Sequence, residues 1–253
     1  MIKTRVIPSL LIKNGGLVKT VRFNKATYVG DPINAIKIFN DKEVDELAVI
    51  DIEASLLKKP PNFNLLDQVS KEAFMPLAYG GGINNLEYVR KILSLGFEKV
   101  IIDSYALSNP EFITKAADIC GSQSVVVCID MKRDLIGHLQ VFDYIHKKPK
   151  RIAAHEYAVQ VQQRGAGEII LYSVDRDGTY EGYDVKGIKD ITSRLTIPVV
   201  ALGGAGKIED FSKAVKDGGA SAVAAGSLFV FHGPHRAVLI TYPEKKDIEH
   251  LIP

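Results

Sequence analysis

Cysteine, net charge and long apolar runs are all scarce in this sequence. Its 253 residues include two cysteines, Cys120 and Cys128, and both lie in apolar stretches. We therefore expect buried free thiols rather than a disulfide or a metal-ligating pair. The formal net charge of +2 is too small to indicate binding to nucleic acid or to an anionic membrane.

Membrane segments are also missing from the sequence pattern. No apolar stretch is long enough to span a bilayer, and residues 1–10 carry Lys3 and Arg5 without the apolar run of a signal peptide. Hydrophobic residues make up 46% of the chain and charged residues 25%, as in an ordinary globular protein. We expect a cytoplasmic protein with one domain over residues 1–253 and no membrane partner.

Short β-branched apolar segments alternate with longer amphipathic segments along the chain. The predicted strands are 5–12, 46–52, 75–79, 99–103, 124–129, 168–174, 197–202 and 221–225, and the predicted helices include 32–40, 85–95, 110–120, 155–164 and 208–217. Eight such units predict an α/β protein, a parallel sheet closed into a single (β/α)₈ TIM barrel. The alternative is an open doubly wound sheet. That fold would be expected to have fewer strands and a glycine-rich turn after the first one, and no GxGxxG motif occurs there.

The two halves of the chain are similar at an offset of about 120 residues, which indicates an internal repeat. Glycine turns at 80–82 and 203–204 follow the third and seventh predicted strands. Ser104 follows the fourth strand and Ser227 the eighth. Two fused half-barrels explain this pattern and predict two similar sites facing each other across the mouth of the barrel.

The glycine turns predict phosphate sites. The loops after strands seven and eight of such barrels often bind phosphate through backbone N–H groups, and glycine lets the backbone approach an oxyanion closely. The repeat adds a second site after strands three and four, so the predicted ligand has a phosphate at each end. A single glycine pair is equally explained by a tight turn. The residues that this pattern assigns to the two sites include Gly82, Ser104, Gly204 and Gly226.

Carboxylates end three other strands. Asp130 follows four apolar residues of the fifth strand without any turn signature, and a carboxylate there faces the mouth of a barrel. It is the candidate general acid or base. Asp51 ends the second strand, and Asp175, Asp177 and Gly178 follow the sixth. A turn or helix-cap role remains an alternative for Asp51 and Asp175.

A series of motifs runs in order through most of the chain. They include Val-Ile-Pro-Ser-Leu at 6–10, Tyr-Gly-Gly-Gly-Ile at 79–83, Arg-Gly-Ala-Gly-Glu-Ile at 164–169 and Val-Asp-Arg-Asp-Gly-Thr at 174–179. Together they resemble the cyclase (HisF) subunit family of imidazole glycerol phosphate synthase. The resemblance implies a glutaminase (HisH-like) partner at the N-terminal face of the barrel and no cofactor or metal. Ammonia from that partner would cross the barrel core and react at the other face with a bis-phosphorylated aminoimidazole ribotide.

The resemblance also implies roles for individual residues. A gate of four charges at the ammonia entrance is matched by Arg5, Glu46, Lys99 and Glu168. An alternative is that these are ordinary ion pairs that only stabilise the barrel. The substrate would be bound by Lys19, on a flexible loop that closes over it, and by Asp51, Gly82, Ser104, Asp177, Gly178, Gly204, Ala225 and Gly226, with Asp130 as the catalytic residue.

Several positions depart from the family pattern. Leu11 stands where the family has a catalytic aspartate, and loss of a positioned acid or base commonly costs about 10²–10⁴-fold in rate. Asp103 replaces an asparagine at the first phosphate site, where a carboxylate repels phosphate unless it is protonated or turned away. Leu202 and Gly226 replace serines. The apolar stretch 228–243 replaces a charged helix and predicts an edge strand or a partner surface.

Three functions remain open at this point. The chain is a cyclase subunit of histidine biosynthesis, an ammonia-supplying paralogue or a non-catalytic activator of a glutaminase. The paralogue would serve the formation of an acetamidino group on a surface-polysaccharide sugar, with a separate amidotransferase. All three predict a glutaminase partner, and the first also predicts a phosphorylated small-molecule substrate.

Overall fold

The computed structural model describes residues 4–233, 235–250 and 252. Its strands are β1 (Arg5–Lys13), β2 (Gly16–Val21), β3 (Asn24–Gly30), β4 (Leu47–Asp51), β5 (Leu77–Gly80), β6 (Lys99–Ile102), β7 (Val125–Arg133), β8 (Leu139–Asp143), β9 (Lys148–Ala153), β10 (Glu168–Ser173), β11 (Val199–Leu202), β12 (Ala222–Ala225), β13 (Phe231–His232) and β14 (Ala237–Val238). Its α-helices are α1 (Pro32–Asp41), α2 (Phe63–Glu72), α3 (Leu86–Ser94), α4 (Ser104–Ser108), α5 (Glu111–Cys120), α6 (Ala154–Gln163), α7 (Val185–Thr192), α8 (Glu209–Ser212), α9 (Ser227–Val230) and α10 (Lys245–Glu249).

Eight of the strands form a closed parallel barrel. Their order is β10-β11-β12-β1-β4-β5-β6-β7, and β7 pairs back onto β10. Helices lie between successive barrel strands, so the predicted (β/α)₈ barrel is confirmed. Two strands begin later than predicted, β5 after Pro76 and β11 after Pro198, because proline lacks the N–H that a sheet ladder needs.

The barrel strands are buried on both faces. Alternate side chains point inward and outward, as the pleat requires. Inward residues such as Ile7, Ala78 and Val126 form an inner cluster, whereas their neighbours Val6 and Val125 pack outward with the helices. This double burial explains why the strands read as continuous apolar runs in the sequence.

The two longest barrel strands begin the two halves of the chain. β1 and β7 each have nine residues, and each extends past the barrel into an antiparallel hairpin, β2–β3 after β1 and β8–β9 after β7. This shared extension agrees with the half-barrel repeat. It also corrects the placement of Lys19, which lies buried within strand β2 and not in a flexible loop.

The C-terminal apolar stretch does not join the barrel sheet. β13 and β14 pair only with each other among the described residues, so the prediction of an edge strand was wrong. The segment instead packs back under the barrel, where the Tyr242 hydroxyl donates to the Val6 carbonyl oxygen at 3.0 Å and its ring lies against Phe229. Val238 and Leu239 remain about half exposed.

Within the described part of the chain, no helix has both the length and the apolar character needed to cross a bilayer.

Gly15 and Gly178 distinguish two ways in which a side chain at positive φ destabilises the fold: backbone strain and steric overlap. Gly15 has φ +74° and open space around it, whereas Gly178 has φ +67° and a Cβ there would collide with the Thr20 carbonyl oxygen. We expect Gly15→Ala to lower the free energy of unfolding by about 1–2 kcal/mol through backbone strain alone. Gly178→Ala should lose about 1–3 kcal/mol more through steric overlap, as measured by urea denaturation. Equal losses in the two variants would contradict the packing seen around Gly178.

Candidate active site

The mouth at the carboxyl ends of the strands contains two adjoining pockets. Leu11 and Tyr172 line both of them. We call the pocket at the ends of β5, β6 and β7 the acidic pocket, because Asp51, Asp103 and Asp130 line it. We call the pocket at the ends of β11 and β12 the lysine pocket, because Lys19 lines it.

The acidic pocket combines carboxyl groups with an apolar and aromatic wall. Its empty volume, with the open mouth included, is about 770 Å³. The aromatic side chains Phe23, Tyr144 and Tyr172 pack edge to face around it. Among the described residues, its lining contains no lysine, arginine or histidine. An acid in this pocket therefore has little to stabilise its charge.

Asp130, the candidate catalytic residue, lies in β7 and is 4% exposed. The Cys128 thiol donates to its Oδ1 across 3.9 Å. Burial raises the pKa of the Asp130 carboxyl well above its ordinary value, and the charges of Asp103 and Asp177 add to the effect. A carboxyl with its pKa raised in this way is suited to general acid–base chemistry.

Asp103 directly follows β6 and lies beside Ser104, whose hydroxyl donates to its Oδ2 at 3.1 Å. Burial raises the pKa of Asp103 to about 7, against the opposing hydrogen bond from Ser104. Asp51 has a structural role instead. Its Oδ1 accepts from the backbone N–H groups of Glu53 and Ala54 at 2.9 and 3.0 Å, as a turn-forming aspartate does.

Lys19 is the cation of the lysine pocket and is 4% exposed. Its Nζ donates to the Ser9 carbonyl oxygen. Burial lowers the pKa of this ammonium to about 8, although the charge of Asp177 opposes the shift. Gly226 leaves the room for it, because a Cβ at that position would lie 2.5 Å from the Lys19 Nζ.

Asp177 is a hydrogen-bonding centre rather than an open ligand. Its Oδ2 accepts from the Thr20 hydroxyl at 2.7 Å and from the Phe23 N–H at 3.1 Å, and its Oδ1 accepts from the Tyr172 hydroxyl at 2.8 Å. The bonds from Thr20 and Phe23 tie the β2–β3 hairpin to the segment after β10, and the bond from Tyr172 ties that segment to β10 itself. The carboxylate thus positions the hairpin over the mouth.

The glycine turns are required by packing as well as by any ligand. Gly82 and Gly204 have φ +69° and +108°, and a Cβ at either position would collide with a backbone carbonyl. Their backbone nevertheless lines the pockets, so a ligand there meets peptide groups without side chains in the way.

The four predicted gate residues meet at the opposite end of the barrel. Arg5, Lys99 and Glu168 are the first residues of their strands, and Glu46 directly precedes β4. The Arg5 guanidinium bonds to Glu46 through one nitrogen and to Glu168 through the other. The Lys99 Nζ lies 3.0 Å from both Glu46 carboxylate oxygens and 2.9 Å from Glu168 Oε2. Each acid thus contacts both cations.

An apolar cavity runs from this gate into the barrel. Glu46 and Glu168 line its lower end, and residues such as Ala48, Ala78 and Val200 form its wall. Ser9 and Leu202 line both this cavity and the lysine pocket. The cavity therefore adjoins the lysine pocket, with Ser9 and Leu202 between them.

Sequence reasoning placed the predicted binding residues and Asp130 around the mouth, and the structure brings them together there. It missed the contributions of Thr20, Phe23, Cys128, Tyr144 and Tyr172. Tyr144 lies in the turn of a hairpin that the sequence pattern did not predict. In the part of the chain that the structure describes, no three histidine, cysteine, aspartate or glutamate side chains cluster as a metal site would require.

The pKa of Asp103 predicts a pH-dependent stability change. An acid whose pKa is raised in the folded state costs stability as pH rises from about 4 to about 7. Asp103→Asn should therefore raise the free energy of unfolding by about 1–3 kcal/mol more at pH 8 than at pH 4.5, each pKa unit being worth about 1.4 kcal/mol.

Asp143→Asn is the control with the opposite sign. Burial would raise the pKa of Asp143, but hydrogen bonds from His146 and Lys150 outweigh it and hold the pKa below its ordinary value. That variant should lose stability at pH 8, and the loss should shrink as pH falls. Chemical denaturation at both pH values tests the pair, and the same sign for both variants would refute the assignment.

Comparison with known proteins agrees with this architecture. The family model described as "Histidine biosynthesis protein" matches residues 5–234. The chain is 50% identical over 249 residues to a Pseudomonas aeruginosa protein, covering 98% of this chain and 99% of that one, and 47% identical over 252 residues to a Leptospira interrogans protein, covering 99% of each. Both are provisionally named as imidazole glycerol phosphate synthase subunits, hisF2 and HisF.

A relative named without that qualification is more distant. The imidazole glycerol phosphate synthase subunit HisF of Alkaliphilus metalliredigens is 40% identical over 232 residues, covering 92% of each chain. Residues 5–234, which the family model matches, include the gate, the barrel strands and both pockets described above. The chain therefore belongs to the histidine-biosynthesis family of (β/α)₈ barrels, as a HisF-type subunit.

Proposed function

We propose that this chain is the ammonia-accepting synthase subunit of a glutamine amidotransferase complex. A glutaminase partner docks at the N-terminal face, and its ammonia crosses the barrel to a phosphorylated acceptor at the mouth. The observation that carries the proposal is the gate of Arg5, Glu46, Lys99 and Glu168 at one end of an apolar cavity whose other end adjoins the lysine pocket.

The geometry of the gate suits a regulated entrance better than a simple ion pair. Glu46 and Glu168 have side chains that are 6% exposed, and both face the interior cavity. Buried carboxylates are costly unless they are paired, and apolar residues of similar size would hold a barrel together as well. A docked partner that shifts either cation would open the passage.

The wall of the cavity favours a small neutral molecule. Apolar side chains offer ions no compensation for lost water, whereas ammonia crosses without a charge. A shielded route also keeps ammonia from being protonated in bulk water before it reacts. The Ser9 hydroxyl is buried, has no hydrogen-bond partner among the described residues, and lies where the cavity meets the lysine pocket. It can hydrogen-bond to ammonia at that point.

The acceptor is a molecule other than the imidazole precursor. Cyclisation needs a proton-transferring group at the position of Leu11, which is 4% exposed and apolar. Asp51 is held in its turn and Asp177 accepts three hydrogen bonds, so neither replaces it. Amidination of an acetamido group, as on a surface-polysaccharide sugar, is the reaction class that the resemblance suggests. The presence of Asp130 at the mouth keeps cyclase activity as the second candidate.

The partner claim predicts activation of a glutaminase. The subunit that co-purifies with this chain should hydrolyse glutamine faster when the chain is present. Arg5→Met should cut that increase by about tenfold or more, because Glu46 and Glu168 then repel each other with one cation between them. Lys115→Met, on the exposed face of α5, removes the same charge and should change nothing. No increase with the unaltered chain, or equal increases with both variants, would refute the proposal.

A second experiment separates the two acceptors. The complex, supplied with the bis-phosphorylated aminoimidazole ribotide and an ammonium salt, should form no imidazole product above background. Circular dichroism of each variant confirms that the chain is folded. Turnover that falls when Asp130 is replaced by alanine would establish the cyclase function instead, and would remove the argument from Leu11.

A further inference from the structure

Among the described residues, the lining of the acidic pocket has no cation to balance the charge of a phosphate. Two of its carboxyl groups are Asp103 and Asp130, and the charge of Asp103 disfavours ionisation of Asp130. Lys147, the cation whose charge acts on Asp130, is exposed and lies over the Tyr144 ring, with Nζ 3.4 Å from the ring centroid. The Ser104 hydroxyl donates to Asp103 and is thereby occupied. A dianion entering this pocket would meet acids and no lining cation.

Asp130 retains acceptor capacity that the protein does not use. More than nine-tenths of the residue is buried, and it lines the pocket. Among the described residues its one hydrogen-bond partner is the Cys128 thiol, a weak donor at 3.9 Å. A buried carboxyl with so few partners is costly unless a ligand supplies hydrogen bonds. The group that satisfies it is a donor, and N–H groups are the strongest match.

The lysine pocket has the opposite requirement. The Lys19 ammonium has three N–H donors, and the described residues give it one acceptor, the Ser9 carbonyl. Asp177, the carboxylate of this pocket, is already engaged by three donors. Gly226 holds open the space in which the ammonium lies. An anionic group with several oxygens would satisfy the remaining donors.

We infer that the two pockets of the mouth differ in charge and that the two ends of the ligand differ correspondingly. The lysine pocket takes a single phosphate, and the acidic pocket takes an amine, amidinium or other N–H donor rather than a second phosphate. This inference rests on the proposed function only in assuming a phosphorylated ligand at the mouth. It replaces the two-phosphate ligand predicted from the paired glycine turns.

Matched probes test the division directly. Aminoalkyl phosphates and alkane bisphosphates of equal chain length differ only in the group at one end. Titration calorimetry at neutral pH should give the best aminoalkyl phosphate a dissociation constant about tenfold lower than that of its bisphosphate counterpart. The simple alkyl phosphate of that length should bind between the two. Equal or tighter binding of the bisphosphate, or no binding of any probe, would overturn the inference.

Variants assign the preference to the two pockets. Asp103→Asn combined with Asp130→Asn should reduce the preference for the amine to less than about threefold, whereas Lys19→Met should weaken both probes by about tenfold. Asp67→Asn, an exposed carboxylate on α2, is the control and should alter neither. The comparison of probes on the unaltered chain stands even where a variant fails to fold. An amine preference that persists in the double variant would place its origin outside the acidic pocket and refute the assignment.

The outcome is separable from that of the proposed function. Glutaminase activation reports the gate and the partner, whereas probe binding reports the mouth. A chain that prefers aminoalkyl phosphates without activating a glutaminase would keep the charge division and lose the proposed function. A chain that activates the glutaminase but prefers bisphosphates would keep the proposed function and lose the charge division.

Discussion

The parallel ladder between β7 and β10 is the constraint on which the rest of the structure depends, because it closes the sheet. Six residue pairs join the two strands, from Glu168 beside Val126 to Ser173 beside Met131. At one end this pairing carries Glu168 into the ring of charges, and at the other it places Asp130 beside Tyr172. A closed barrel has two faces connected by one interior, whereas an open sheet would separate the same residues.

Much of the fold could be predicted from the sequence because barrel strands are buried on both faces. Continuous apolar runs mark eight strands, and prolines set where two of them begin. The hairpins β2–β3 and β8–β9 could not be predicted in this way. Their strands are partly exposed and polar, as in β3 and β9, so neither a run of apolar residues nor a regular alternation marks them.

The sequence predicted where the candidate site lies, but not the burial and ionisation of its side chains. From the sequence alone, a lysine in a polar stretch is expected to be solvated. Lys19 is enclosed only when β12 pairs with β1. Gly226 looked like the loss of a serine, yet it provides the volume in which the ammonium lies. Asp103 follows β6 and Asp130 lies in β7, and the effect of Asp103 on the ionisation of Asp130 arises only when these strands pair. These properties belong to contacts between distant parts of the chain.

The three hydrogen bonds to Asp177 also bear on how the mouth of the barrel is covered. Those from Thr20 and Phe23 hold the β2–β3 hairpin at the rim, and each such bond to a charged group contributes on the order of 1.5–3 kcal/mol. Both of these donors share one carboxylate, so replacing Asp177 would remove both contacts at once. A single side chain from the other half of the chain thus determines how firmly the hairpin is held over the mouth.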